Sequence, residues 1–129
     1  MLFVHETHEV AGGKMEEFEE AVRTLWRPLV EERGGVRLLW FWHLTHGTGA
    51  SYQAITITAV RDWATWGALR ERMAGDTRYR DWQRRVWEVR REVTAKMLEP
   101  ASWSLRVARY SAPTSRQREH WQQARHSEP

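Results

Sequence analysis

A chain of 129 residues is long enough for one hydrophobic core. Because it contains no cysteine, disulfides, thiolate metal sites and cysteine nucleophiles are excluded. The net charge is +3, and the arginines of the second half alternate with Asp and Glu as on a solvated helix face, so we expect no nucleic-acid partner. The sequence shows no signal-peptide pattern and no long apolar run, so we expect a cytoplasmic protein without membrane contact.

The first half of the chain predicts a strand, a helix and a hairpin. Residues 2–10 alternate as a strand that ends at the turn 11–13. Apolar residues then recur every three or four positions from Lys14, which predicts an amphipathic helix that Pro28 kinks or ends early. Two runs rich in β-branched and aromatic residues, within 36–60, flank a Gly-containing turn at 46–49 and predict a β-hairpin.

The second half predicts two helices and a last strand. Asp62 is a good N-cap for a helix up to Met73, and the break at 75–77 precedes a second helix whose apolar side continues to Met97. Residues 103–110 are predicted as the last strand of a domain spanning 1–110, and 111–129 as a polar tail.

The resulting order, β-α-β-β-α-β, is that of a ferredoxin-like α+β domain with an antiparallel four-stranded sheet. Both helices of such a unit cover the same face of the sheet. Because the other face is left bare, we expect a homodimer in which two sheets form an α+β barrel. The nine tryptophans are then expected mostly in the core or the interface.

Two segments resemble a known family. The opening FVHETHEVAGGKMEEFEEAV resembles that of NIPSNAP domains, and GDTRYRDWQRRV is similar to their Asp-Pro-x-Trp-x-x-Phe signature, with Asp76, Tyr79 and Trp82 at its Asp and aromatic positions. The resemblance spans roughly residues 3–110. Thr77 replaces the usual Pro, and Thr56 and Thr58 stand where the third strand of the family often carries His and Trp.

The resemblance implies membership of the dimeric α+β barrel superfamily, which includes antibiotic-biosynthesis monooxygenases, haem-degrading monooxygenases and polyketide cyclases. In those enzymes the pocket lies between the sheet and the helices. The cyclases use one histidine on the first strand and another before the long helix, positions that correspond here to His5 and Tyr79. The same resemblance predicts that Phe3, His5 and Thr7 face the helices, whereas Glu6 and His8 face the dimer seam or its rim.

We therefore expect His5 to be a general base, with Tyr79 as its partner and His43 as a further catalytic candidate. A structural role for each is the alternative. Aromatic and hydroxyl side chains predict a binding wall for a flat, small aromatic or apolar metabolite, and the alternative is that the rings only fill the core and the dimer seam. The predicted wall comprises Thr7, Trp40, Trp42, Tyr52, Thr56, Thr58 and Trp66.

No cofactor is expected. Glu6 and His8 share one strand face and are the weak alternative for a metal, with His43 or His46 as a third ligand, and no axial histidine for haem stands out. The sequence thus predicts a small-molecule-binding protein that acts as a cofactor-independent cyclase, isomerase or monooxygenase on an aromatic or polyketide-like metabolite of secondary metabolism. A non-catalytic ligand-binding or interaction module is the second reading, and a metal- or haem-dependent oxygenase is the third.

Overall fold

The computed structural model describes residues 1–104 as one antiparallel sheet with helices packed on one of its faces. The strand order in the sheet is β2-β3-β1-β4. Both the element order and the sheet order confirm the predicted ferredoxin-like α+β fold. In chain order the elements are β1 (Leu2–Val10), α1 (Met15–Ala21), a π-helical turn (Val22–Trp26), α2 (Arg27–Val30), β2 (Val36–His43), β3 (Gln53–Val60), α3 (Trp63–Ala74), α4 (Thr77–Val89) and β4 (Arg90–Leu98).

Two hydrophobic clusters join the helices to the sheet. The first surrounds Phe18 of α1, which is fully buried, and includes Val10 of β1 and Val86 of α4. The second joins Leu2 and Val4 of β1 to residues of α2 and α3. The helices therefore cover the face of β1 that carries Leu2, Val4 and Val10.

The predicted orientation of β1 is wrong. Glu6 and His8 share the helix-covered face with Leu2 and Val4, so Phe3, His5 and Thr7 point to the opposite, open face. The apolar residues at both ends of β1 decide this orientation. Burying Leu2, Val4 and Val10 under the helices removes more apolar surface from water than burying Phe3, His5 and Thr7 there would.

The first helical rod continues past Pro28. All residues at the junctions of α1, the π-helical turn and α2 have right-handed helical dihedrals, so the rod is continuous over 15–30. Pro28 has no N–H for the Thr24 carbonyl and its ring crowds that carbonyl, which gives a physical reason for the wider turn just before it. The wider turn carries Val22 and Trp26, which both face the sheet.

The last helix and the last strand lie elsewhere than predicted. Helix α4 ends at Val89, and β4 already begins at Arg90, so the prediction of a helix up to Met97 is wrong. Trp103 lies in a turn rather than in a strand, and residues 105–110 as well as the tail at 111–129 lie outside the described part of the chain. Val89, Val93 and Met97 are four residues apart, a spacing that one helix face and one strand face share.

The predicted hairpin is confirmed, with a longer loop, over residues 44–52, than the sequence indicated. Its first strand has a bulge, because Leu38 pairs with Thr58 whereas Trp40 already pairs with the next residue, Ile57. This irregularity directs Trp40 and Trp42 to the open face. Within residues 1–104, none of the helices combines the length and the hydropathy that a membrane span requires.

Candidate functional site

A cavity of about 200 Å³ lies between the sheet and the helices, and we call it the inner cavity. The sheet contributes polar side chains to it, and the helical side contributes the aromatic ones. The polar lining consists of Glu6 and His8 of β1, Thr56 of β3 and Arg90 at the start of β4; the aromatic lining consists of Trp26, Tyr79 and Trp82. The site thus combines an acid, an imidazole, a hydroxyl and a guanidinium with flat walls.

His8 is the centre of a buried hydrogen-bond chain. Its Nδ1 lies 3.2 Å from Nη1 of Arg90, and its Nε2 lies 2.8 Å from the hydroxyl oxygen of Thr56. Because a guanidinium can only donate, Nδ1 accepts, and Nε2–H therefore donates to Thr56. Burial, with the Arg90 charge as a smaller cause, lowers the pKa of His8 from 6.5 to about 3. The imidazole is therefore neutral at physiological pH and orients its two neighbours.

Glu6 and Arg90 are opposite charges in a desolvated site. Burial raises the pKa of the Glu6 carboxyl, and the charge of Arg90 acts in the opposite direction to a smaller extent. Burial likewise lowers the pKa of Arg90. In the described part of the chain, no side chain or backbone group makes a hydrogen bond to the Glu6 carboxyl group. A carboxyl group with a raised pKa and free oxygen atoms at a cavity can accept or deliver a proton.

The aromatic wall is built by the π-helical turn and the first turns of α4. Trp26 stacks on Trp82, with ring centroids 5.2 Å apart, and Tyr79 lies 6.4 Å from Trp26. Asp76 caps α4 by accepting a hydrogen bond from the backbone N–H of Arg78 over 2.9 Å, and this fixes where the helix begins. Tyr79 is therefore held in the first turn, facing the sheet.

The structure brings four of the singled-out residues together. Tyr79 and Thr56 line the inner cavity, as do Glu6 and His8, the pair that the sequence offered for a metal. The neighbour of that pair is the cation Arg90 rather than a third ligand. Across residues 1–104 there is no group of three or more His, Asp or Glu side chains with metal-binding geometry.

The other predicted site residues lie outside the cavity. His5, Thr7, Trp40 and Trp42 are on the open face of the sheet, where the two indoles stack with centroids 5.3 Å apart. His43 lies 3.2 Å from the Glu19 carboxylate at the edge of the sheet. The remaining three are also apart from it: Tyr52 is exposed in the hairpin loop, Thr58 is buried beneath the helices, and Trp66 packs on the second hydrophobic cluster.

Sequence reasoning missed Trp26, Trp82 and Arg90 as site residues. The sequence did contain one signal for the correct face, because Glu6 and His8 interrupt the otherwise apolar series of Leu2, Val4 and Val10. Polar side chains in the middle of a buried face are costly unless they are paired or have a function.

Comparison with known proteins identifies the family that the chain resembles. The NIPSNAP family model matches residues 5–105. No curated protein matches the sequence significantly.

Solved structures share the fold at low identity. An uncharacterised NIPSNAP-domain protein from Burkholderia xenovorans is 23% identical with a TM-score of 0.70, and the alignment covers 82% of this chain and 100% of that one. A NIPSNAP family protein from Agrobacterium tumefaciens is 19% identical with a TM-score of 0.65, at 80% and 88% coverage. A protein from Nitrosomonas europaea, provisionally assigned as an antibiotic-biosynthesis monooxygenase, is 18% identical with a TM-score of 0.54, at 78% and 98% coverage.

Proposed function

The chain belongs to the NIPSNAP family, whose model spans residues 5–105, and we propose that it is an enzyme that moves a proton on a small, flat metabolite bound in the inner cavity. The observation that carries this proposal is the unbonded Glu6 carboxyl group, with its raised pKa, in the same cavity as the Arg90 guanidinium. The substrate class is an enolisable ketone or a phenol, because such molecules combine a flat apolar body with an acidic proton beside an oxygen atom.

Glu6 is the proposed general base. A base whose pKa lies closer to neutrality is matched better to a weakly acidic C–H or O–H group than an ordinary carboxylate is. The proton moves from the substrate to the Glu6 carboxylate and leaves an enolate or phenolate behind.

Arg90 is the proposed binding group for that developing oxyanion. Its position is set by the hydrogen bond to His8, and charge stabilisation by such a preorganised cation is stronger in a partly desolvated site than in water. The Thr56 hydroxyl accepts from His8, so its own proton remains available to a ligand oxygen. Tyr79 offers a further O–H donor at the cavity.

The size of the cavity limits the substrate. About 200 Å³ is less than the roughly 300 Å³ at the lower end of ligand pockets, so one or two fused rings are favoured over a long polyketide. The Trp26 and Trp82 indoles offer planar surfaces for those rings. Cyclisation, isomerisation and cofactor-independent oxygenation of such a substrate all begin with the same deprotonation.

Deuterium exchange tests this proposal without knowledge of the natural substrate. 2-Tetralone, a flat bicyclic ketone with acidic C–H bonds, is incubated with the protein in D₂O, and NMR follows the loss of its C1 protons. We expect exchange above the buffer rate, and its loss in Glu6→Gln by a factor of about 10²–10⁴. Glu16→Gln, which alters an exposed carboxylate on α1, is the control that keeps the rate.

A non-catalytic ligand-binding protein is the alternative that the same experiment addresses. If 2-tetralone and related enolisable aromatics quench the Trp26 and Trp82 fluorescence but exchange at the buffer rate, the cavity binds without catalysis. We also propose that the open face forms a homodimer, because Trp40 and Trp42 are both about half exposed on it, at 44% and 48%.

A further inference from the structure

A second cavity, of about 300 Å³, lies between the loop after α2 and helix α3, and we call it the arginine cavity. Three arginines line it, Arg33, Arg61 and Arg72, and no carboxylate does. It shares no lining residue with the inner cavity and has no part in the proposed proton transfer. Its charge indicates an anionic ligand.

Two of these arginines make few bonds to the protein. Arg33 makes no hydrogen bond or ion pair to another residue of the described part. Arg61 lies 3.9 Å from the Asp62 carboxylate and 3.5 Å from the Thr65 hydroxyl, distances at which neither contact is a strong hydrogen bond. Both guanidinium groups therefore have donors to offer a ligand.

Arg72 is held in place and is incompletely bonded. Its Nη2 donates to the Leu29 carbonyl over 3.2 Å, while its Nε is buried without a hydrogen-bond partner among residues 1–104. Its Nη1 likewise makes no hydrogen bond there, and it is not buried. Because Nη1 is not buried and has no partner among the described residues, its N–H donors are available to an anion in the cavity.

Two carboxylates that the Arg72 charge affects are already bonded to another arginine. Glu32 and Asp76 both feel the Arg72 charge, which contributes to the lowering of their pKa values, but Arg78 is their direct partner, at 2.8 Å and 2.7 Å. Arg78 pairs with both Glu32 and Asp76, and neither carboxylate lines the arginine cavity.

The local backbone keeps the cavity open. Ala64 and Ala68 lie one turn apart on α3 and line it with methyl groups only. Gly35 borders it with φ +75°, and a Cβ there would lie 2.9 Å from the Thr65 methyl and 3.2 Å from Nη2 of Arg61. A larger residue at 35 would therefore displace the Thr65 methyl and press against Arg61.

We propose that the arginine cavity binds the phosphate group of a small phosphomonoester. Planar guanidinium groups match the tetrahedral phosphate with paired hydrogen bonds, and a dianion needs more than one cation to neutralise it. Val36 and Leu69 supply an apolar wall for the ester carbon atoms. The volume, at the lower end of ligand pockets, suits a ligand with one small ring.

Isothermal titration calorimetry with phenyl phosphate tests this, with benzoate as the monoanionic comparison. We expect phenyl phosphate to bind at least tenfold more tightly than benzoate and less tightly at higher salt concentration. Arg33→Gln should weaken it at least fivefold. Arg80→Gln, the same charge change at an exposed position of α4 that lines neither cavity, should leave it unchanged.

Arg72→Lys keeps the positive charge but loses the planar guanidinium with its paired N–H donors, so it should also weaken binding at least fivefold. Circular dichroism checks that this variant folds. Because Arg33 is exposed, the Arg33→Gln variant remains a valid test even if changes at Arg72 impair folding. No measurable heat with millimolar phenyl phosphate would overturn the proposal. So would equal losses in Arg33→Gln and Arg80→Gln, which would show that only the overall charge matters.

Discussion

Arg90 donates a hydrogen bond from Nη1 to Nδ1 of His8 over 3.2 Å, although the two residues are 82 positions apart in the sequence. A bulge makes this contact: the register of β1 with β4 shifts between Glu9 and Val10, so that Val10 pairs with Arg90 while Glu9 pairs with Glu92. The extra residue, Arg91, turns Arg90 onto the helix-covered face. One irregularity in the last strand thus supplies the cation of the inner cavity.

The buried imidazole predicts a loss of stability in acid. His8 has a native pKa of about 3 against 6.5 when unfolded, so below pH 6.5 the unfolded chain binds a proton that the native protein does not. Stability therefore falls as the pH drops from 6.5 towards 3 and below, by on the order of 5 kcal/mol in all at about 1.4 kcal/mol per pKa unit. Urea unfolding between pH 7 and pH 4.5 measures the upper part of this loss.

His8→Gln is the matched variant, because its amide can donate to Thr56 and accept from Arg90 without titrating. We expect its urea midpoint to change less between pH 7 and pH 4.5 than that of the original protein. Equal changes in the two proteins would show that other groups cause the acid sensitivity. In parallel, ¹⁵N NMR should find the Nε2–H tautomer of His8 at pH 7.

Glu6→Gln should make the protein more stable relative to the original as the pH rises. The native pKa of Glu6 is raised, so the native state holds its proton more tightly than the unfolded chain does. The stability that this provides is present at low pH and is lost as the pH rises through the native pKa, and a glutamine avoids that loss. The difference in urea midpoint between variant and original should therefore be larger at pH 7 than at pH 4, whereas Glu16→Gln should show no such trend.

The sequence predicted the element order because the residues that begin helices and form turns are easy to recognise. Asp62 caps α3 as expected, Asp76 caps α4 within the predicted break at 75–77, and Gly13, with φ 75°, lies in the turn after β1. The face of β1 was harder to assign, since both series of alternate residues contain apolar and polar members. Leu2, Val4 and Val10 favour the correct face, but Glu6 and His8 between them weaken that signal, so buried partners from distant elements are needed to decide.

The site was less predictable than the fold. In the sequence, Arg90 resembles the other arginines of an arginine-rich helix. It reaches the cavity only because α4 ends at Val89 and the bulge in β4 follows. Trp26 depends on the π-helical turn, whose offset a regular period of 3.6 residues does not describe.

Phe18 is expected to be the most sensitive apolar position of the first cluster. It is fully buried, with its ring centroid 5.0 Å from His8 and 5.8 Å from Phe41. Phe18→Ala should cost about 3–5 kcal/mol in the free energy of unfolding, measured with urea. Trp87→Ala removes a larger ring that is 86% exposed and should change that energy by less than about 0.5 kcal/mol. Similar costs for the two variants would contradict this account of the core.

The open face gives the last prediction. Trp40 and Trp42 stack there beside Ile57 and Ile55, their partners in β3, and a patch of this kind is expected to be covered by the same patch of a second copy. Light scattering at micromolar concentration should therefore give the mass of a dimer, and Trp42→Glu should give a monomer, because a charge placed opposite its own symmetry mate is buried without a partner. Trp87→Glu places the same charge on the solvent side of α4 and should remain dimeric, and unchanged circular dichroism in both variants shows that they fold. A monomer mass for the original protein would refute the dimer, and dissociation by Trp87→Glu alone would move the interface to α4.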